Sequence, residues 1–532
     1  MNRIAIYLNK IIDGVAYSAP SILDHYSTDR SLLRIHPRVV AVPENTEDVR
    51  RLVRFAYQLS QKKVPFPITV RGAGYGKNGS ALGSGLVMSM ERMNAIQEVD
   101  IRQRLARVQC GVTLDELKKS LNICGLDIPI IADPNETIGG LIAKAASVSD
   151  NTKPSTISKI VDRAEVVLSN GDIVEISNLT PRRAAKKCSN DSLEGTIYRK
   201  IDALVEEKSE MISQIADTLG NRSGYSGIRD VKTRNSFSLI PLICGSEGTL
   251  GVITEVILKV EPIFDEPNRI AIPCRTASAF TEVCQTLKEL EFTDIVFYDT
   301  ELFNAVDNIG KTSRFFRKVS DNGILVVANV KDDSVRLRRK KIKKLHRALP
   351  DTIRIIDEDS ENFRDFRALE STLNAYLNDN TNSAFHLPLI DGVYVPPAKQ
   401  IDFLRGIDEI GKTMKVRNAV FGSVDFNSFS IRPSFTLNTA DGRKEIIRFL
   451  SLYLKLIADC EGQACGSAPE GRLAAVFMKK YVKKEESELY SRIKEIFDEQ
   501  GILNPGIKQD ANVKTTFQHF RVDYNDGVIS SK

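Results

Sequence analysis

Residues 67–86 read PITVRGAGYGKNGSALGSGL, a β-branched strand running straight into a stretch with glycine at 72, 74, 76, 79, 83 and 85. Glycine at that density lets neighbouring backbone N–H groups converge on one anion with no Cβ in the way. A phosphate or diphosphate is the expected guest; a flexible surface loop is the plainer alternative. Two familiar nucleotide loops are disfavoured by the surroundings. A G-x-G-x-x-G dinucleotide loop opens a helix and has an acid about 20 residues further on, whereas these glycines run into strand-like LVMSM at 86–90. A P-loop needs Gly-Lys-Ser/Thr, and the chain offers Gly76-Lys77-Asn78.

Working outward, the preceding chain reads VVAVP (39–43), EDVRRLVRFAYQLSQ (47–61) with Val49, Leu52, Val53, Ala56 and Leu59 at helical spacing, and FPITV (66–70). That pattern predicts strand, amphipathic helix and strand, the start of a β-α-β unit. Short strand-like pieces follow at 86–90, 95–99 and 106–110, then the helix LDELKKSLNICG (114–125). RAEVVLS (163–169) and DIVEIS (172–177) flank Asn170-Gly171, a hairpin signal because both residues tolerate positive φ. Beyond Pro262 the texture changes to strands alternating with long charged helices at 276–291, 332–349 and 442–459. This predicts a second domain whose helices cover one face of an antiparallel sheet. The expected class is α+β. The expected divisions are an N-terminal segment 1–35, a first domain 36–262, a second domain 263–500, and a turn with polar tail at 501–532.

A chain of 532 residues with 42% hydrophobic content is too long for one ordinary core. Its formal charge of +5 is slight for the size and gives no reason to expect nucleic acid; small metabolites suit it as well. The eight cysteines form no C-x-x-C pair and read as free thiols of a reducing compartment, Cys460 and Cys465 being the one spacing suited to a redox couple. The opening MNRIAIYLNKIIDGV is a poor secretory signal, and no run reaches the roughly 18 apolar residues of a membrane span. A cytoplasmic protein, soluble or peripherally attached, is expected.

RGAGYGKNGSALGSGLVMSMERMN (71–94) resembles the pyrophosphate loop of FAD-binding domains of the vanillyl-alcohol oxidase / p-cresol methylhydroxylase (PCMH) type. Further segments resemble that family in its own order: DHYSTDRSLLRIHP (24–37), CGVTLDEL (110–117), DPNETIGGLIAKAAS (133–147), SNGDIVEI (169–176), NRSGY (221–225), GSEGTLGVITEVILKVEP (245–262) and GILNPG (501–506). The resemblance implies a PCMH-type FAD-binding domain of two α/β subdomains, with a substrate domain after it and a C-terminal turn returning to the flavin. It implies that the backbone of Arg71, Gly72, Ala73, Gly74, Tyr75 and Gly76, with Gly79 and Ser80, wraps the diphosphate. Pro134, Thr137, Gly139, Gly140 and Ser147 are implied for the diphosphate and ribityl region, and Glu247, Gly251 and Ile253 for the segment along the cofactor. Tyr75 stands where several relatives carry the histidine that links FAD covalently, so non-covalent FAD is expected. Val148 in place of a common Gly, and Pro154-Ser155 in place of Tyr-Gly, imply a second loop of different shape.

The later half is similar to the D-lactate dehydrogenase, glycolate oxidase and D-2-hydroxyglutarate dehydrogenase branch through IDGVYVPP (390–397), FGSVDFNSFSIRP (421–433) and GQACGSAPEGRL (462–473). That branch implies hydride transfer from a 2-hydroxy acid to flavin, with a metal held by histidines and a glutamate. Here Ser423, Ser430, Ser467 and Ala468 occupy the ligand positions, and none supplies the imidazole or carboxylate such a metal requires. No metal is therefore expected. Arg432 is the candidate fork for a substrate carboxylate, with a structural ion pair as its alternative. Arg367 is a second such candidate, and His386 a candidate base or else a core histidine. Asp391, Tyr394 and Glu470 are weaker candidates. The run RLRRKKIKKLHR (336–347), with Val335, Ile342, Leu345 and Leu349 on one face, suits a solvated surface helix and also an anionic membrane surface.

The expected function is an FAD-dependent oxidoreductase taking a hydride from a small hydroxy-acid-like substrate, with quinone, a partner flavoprotein or oxygen as acceptor. Its rivals are a catalytically silent flavin-binding subunit and an FAD oxidase of a different alcohol, sugar or phenol.

Overall fold

The computed structural model describes residues 2–149, 154–215, 220–263, 268–307, 323–330, 334–378, 387–435, 437, 439–478, 481–509 and 511–522. The class is α+β. The chain forms two compact units, one of residues 1–148, 155–263 and 468–520, the other of 149–154, 264–467 and 521–532.

In the first unit, β1 (Val15–Tyr17), β2 (Val39–Val42), β3 (Ile68–Arg71) and β4 (Leu86–Ser89) form a sheet in the order β1-β2-β4-β3, with β2 and β3 parallel to β4 and β1 antiparallel to β2. The crossover from β2 to β3 is α1 (Thr46–Gln61), capped by Asn45, whose side chain accepts from the Asp48 amide. Asp48 is itself buried and accepts from the amides of Asp13 and Gly14, both at 2.8 Å. The first 35 residues are thus no separate segment: they supply an edge strand to this sheet and two N–H groups to a buried carboxylate.

A second sheet is antiparallel throughout: β5 (Ile96–Asp100), β6 (Leu105–Gln109), β7 (Val161–Val167), β8 (Ile173–Ser177) and β9 (Val252–Lys259), in the order β8-β7-β9-β6-β5. Of the two residues expected to adopt positive φ between β7 and β8, only Gly171 does, at +85°. The Gly171 amide donates to the Leu168 carbonyl, and the Leu168 amide to that of Asp172. The connection is therefore a three-residue loop closed on a left-handed glycine, not a two-residue one.

One apolar core joins both sheets and also takes in Leu489, Tyr490, Ile493 and Phe497 of the Lys484–Phe497 helix. This corrects the expected 263–500 extent of the second domain. From Ala468 onward the chain packs into the first unit, because those four apolar side chains find their partners there.

The second unit is built on β10 (Asn268–Cys274), β11 (Thr293–Asp299), β12 (Ile324–Val330), β13 (Val393–Tyr394), β14 (Asn418–Ser423) and β15 (Ser428–Pro433), in the order β10-β12-β11-β14-β15-β13 with every pair antiparallel. Helices cover both faces rather than the expected one. Phe280, Phe297, Phe403, Phe429, Phe449 and Tyr453 form a chain of ring contacts on one side. On the other, Leu302, Phe303, Phe366, Leu369 and Leu373 pack with Tyr298, Leu325 and Ala419. No helix among the described residues is long and apolar enough to cross a membrane.

Candidate functional site

The glycine loop leaves β3 at Arg71, whose buried guanidinium donates to the Thr28 carbonyl at 2.8 Å and lies over the Tyr26 ring. Burial lowers its pKa. Gly74, at φ +74°, passes so close to that guanidinium that a Cβ would meet it at 2.3 Å. A Cβ on Gly72 would sit 2.1 Å from Thr137 Oγ1. The two segments expected to hold the cofactor are therefore packed against each other, with room for glycine only. Thr137 caps the short Ile138–Ala143 helix by accepting from the Gly140 amide, and Gly139 fits against Cys110, where a Cβ would come within 2.8 Å.

Tyr75 lies beneath the Arg30 guanidinium, 3.6 Å from carbon to ring centroid, and Arg30 in turn pairs with Asp133 at 3.0 Å. This stack ties the first loop to the start of the second, next to Pro134. Gly76 accepts from the Arg30 amide, and the Ser80 hydroxyl donates to Asn78. Ser147 accepts from buried Arg222 at 3.0 Å. Gly251 and Ile253 stand at the start of β9 against Val166, where a Cβ on Gly251 would meet Val166 Cγ1 at 2.4 Å. The Gly251 position thus has a packing reason of its own. Ala73 and Pro134 are exposed.

A polar hub fixes this arrangement. Asn504 donates to the carbonyls of Ser80 and Glu247 and accepts from Thr69 and Arg472, all between 2.8 and 3.1 Å. Glu247, held at φ +53°, accepts from Asn78 and the Gly471 amide and lies 3.5 Å from Lys508, both side chains being buried. Burial pushes the Glu247 carboxyl up to about 7, Lys508 opposing and Glu470 adding. Burial likewise lowers Arg472 to about 10. Of these residues the sequence marks Ser80 and Glu247 for the cofactor and Glu470 as a weaker catalytic candidate. Asn504 sits inside GILNPG, Asn78 inside the glycine loop and Arg472 inside GQACGSAPEGRL, all within reach of a motif reading, but nothing local to Lys508 announces it.

The arrangement suits a diphosphate-bearing cofactor on two counts. Gly72 and Gly74 give a strand end free of Cβ atoms, packed directly on Thr137 and on the Arg71 side chain. A neighbouring polar pocket is lined by buried Arg222 together with Ala145, Gly224, Tyr225 and Gly245.

In the second unit the expected residues divide. Arg432 is buried on β15 and both of its terminal nitrogens bond Asp391, one of them at 2.7 Å to Oδ2, while its guanidinium lies over Phe421. The fork expected for a substrate carboxylate is occupied by one from the chain. Arg367 lies on the Phe363–Asn378 helix, half exposed and paired with Glu370 at 3.1 Å. Glu370 is buried and also takes the Arg269 guanidinium. His386 lies outside the described residues. Ser430 accepts from the Gly392 amide at 3.1 Å, Ser423 donates to the Ile295 carbonyl, and the hydroxyls of Ser428 and Ser467 bond each other. Among the described residues no three His, Cys, Asp or Glu side chains gather as a metal site would require.

The basic run falls on the Val335–Ala348 helix, whose Ile342 and Leu345, with Leu349 after it, are buried, while Val335 is exposed. The buried row is completed by Arg338 rather than by Val335, and the apolar face offered for a membrane is already packed within the unit.

A family model described as an FAD binding domain matches residues 37–177, and one described as FAD linked oxidases, C-terminal domain, matches 275–507. A D-2-hydroxyglutarate dehydrogenase of Pantoea ananatis (strain AJ13355) is 26% identical over 505 residues, covering 90% of this chain and 48% of that protein. The chain spans about half the length of the D-2-hydroxyglutarate dehydrogenases it matches. A D-lactate dehydrogenase of Archaeoglobus fulgidus is 24% identical over 91% of this chain and 95% of its own length. Among solved structures, a 4-ethylphenol oxidase from Gulosibacter chungangensis shares the fold at a TM-score of 0.68 and 14% identity, with 96% of this chain and 98% of that one covered.

Proposed function

The chain belongs to the FAD-linked oxidases that join a PCMH-type FAD-binding domain to an oxidase C-terminal domain, and from that premise we propose that it oxidises a CH–OH carbon of a small hydroxylated substrate. FAD, when bound, supplies the hydride acceptor. The observation that carries the reading is the meeting of the two cofactor loops at Gly72 and Thr137, with Asn504 bonding both the glycine loop and Glu247. Backbone amides from Arg71 to Ser80 bind the diphosphate. Thr69, Arg472 and Asn504 hold that backbone in place, and the Arg30–Asp133 pair keeps the second loop beside Tyr75. The relatives named D-2-hydroxyglutarate and D-lactate dehydrogenase make 2-hydroxy acids the first substrates to try.

Anaerobic titration of the purified yellow protein with 2-hydroxy acids, diols and sugars tests the proposal. Bleaching of the long-wavelength flavin band by any of them supports it. A flavin that can be photoreduced but is inert to every donor sinks it, in favour of a silent flavin-binding subunit. That second reading draws on the serines at the ligand positions and on the occupied fork of Arg432. Because Tyr75 can form no histidyl link, acid precipitation is expected to leave the flavin in the supernatant. Yellow colour retained in the denatured pellet would refute non-covalent attachment.

A further inference from the structure

The row of hydroxyls on the second unit's sheet is a cluster that cofactor binding does not use. Its residues share a face by register: Ser423 stands opposite Ser428, Phe421 opposite Ser430 and Ala419 opposite Arg432, while Tyr394 of the edge strand stands opposite Ser428. Residues opposite one another, and those two apart along a strand, point the same way. Ser467 joins the row through its bond to Ser428, and the amide of Gly392 reaches Ser430.

The charges in this row neutralise each other. Arg432 and Asp391 face one another through two parallel N–H···O bonds, with the arginine side chain only 3% exposed. Binding an anionic substrate here would mean drawing Arg432 away from Asp391. That would break two charge-assisted bonds made by a guanidinium buried in the sheet, a loss the new pair does not make good. A metal would avoid the conflict, but serine hydroxyls at 423, 430 and 467 are not the donors that hold one. A hydroxyl both donates and accepts. A row of them complements a ligand that presents hydroxyls and carries no net charge.

We propose that this face selects a neutral, multiply hydroxylated substrate, a polyol or a sugar, over a 2-hydroxy acid. Asp391 acts as a resident carboxylate that holds Arg432 and excludes one from the substrate. The inference rests on reading the chain as a CH–OH oxidoreductase and narrows that reading to a substrate class.

The test compares matched pairs on the wild-type holoprotein, glycerol with glycerate and propane-1,2-diol with lactate, by calorimetry and by perturbation of the flavin spectrum. The neutral member of each pair is expected to bind at least about tenfold tighter. Equal or tighter binding of the acids, or binding of neither member, overturns the proposal. In Asp391→Asn, with FAD content as the check on folding, oxalate is expected to bind at least about tenfold tighter than to wild type, because Arg432 regains its donors. Unchanged oxalate affinity in a folded D391N protein also overturns it. Reduction of the flavin by acids and not by diols defeats this inference and leaves the proposed function standing. Diols that bind without reducing the flavin do the reverse.

Discussion

At Gly72 two loops meet with no room for a methyl group between them, and the pair can be separated by substitution. Gly72→Ala puts a Cβ about where Thr137 Oγ1 now is, so a loop must move and FAD affinity should fall at least about tenfold. Thr137→Ala alone loses the helix cap, worth about 1 kcal/mol, but it opens the space the alanine needs. The double variant should therefore bind FAD better than Gly72→Ala, and simple additivity in fluorescence titrations would show that the two positions do not meet. Glu247 offers a different handle. Its folded-state value is raised from 4.5 to about 7, so between those pH values the folded protein holds a proton that the unfolded chain has released. This group's contribution to stability must fall as pH rises from about 4.5 and level off beyond 7, a change on the order of 3 kcal/mol. Glu247→Gln should flatten that part of the profile of urea midpoint against pH, measured at saturating FAD. Identical slopes in the two proteins would mean that the carboxyl is ionised throughout.

Among the elements, the Val335–Ala348 helix shows what periodicity can and cannot say. Spacing located the helix and three of its buried side chains, but chose Val335 for the apolar row where the fold buries Arg338, a charged residue that apolar periodicity does not select. With Leu345 fully buried, Leu345→Ala should cost about 3 kcal/mol in chemical denaturation. A cost under about 0.5 kcal/mol would mean that this face is not part of the core. The β7–β8 hairpin makes a similar point. Asn170-Gly171 marked the turn, yet its length follows from the Leu168–Asp172 pairing, a backbone detail that side-chain composition does not specify. The glycine loop was more legible, because Gly72 and Gly74 have steric reasons that leave glycine as their trace. The fork of Arg432 was less so, since its partner Asp391 lies 41 residues away and only folding brings the two together.

For the whole molecule, the change of texture near Pro262 marked the outgoing boundary, while the return of the chain at Ala468 left no compositional sign. Its cause is long-range: Leu489, Tyr490, Ile493 and Phe497 join a core built by residues before 263, and Arg472, Asn504 and Lys508 reach the cofactor loops. The cofactor-binding unit is therefore incomplete without its last 53 residues, 468–520, although the glycine loop and both expected cofactor segments lie before them. A chain ending at residue 467 should retain no FAD. Asn504→Ala asks the same question within the intact chain. It removes four hydrogen bonds, each worth about 1 kcal/mol net, and forces an alanine to adopt φ +43°. The expected outcome is roughly 3 to 4 kcal/mol less stability in the first unit and a weakened hold on FAD. Asn504→Asp should fall between, since a carboxylate still accepts from Thr69 and Arg472 but cannot donate to the carbonyls of Ser80 and Glu247. If Asn504→Ala binds FAD as wild type does, the turn at 501–506 only closes the core, and the glycine loop holds its shape unaided.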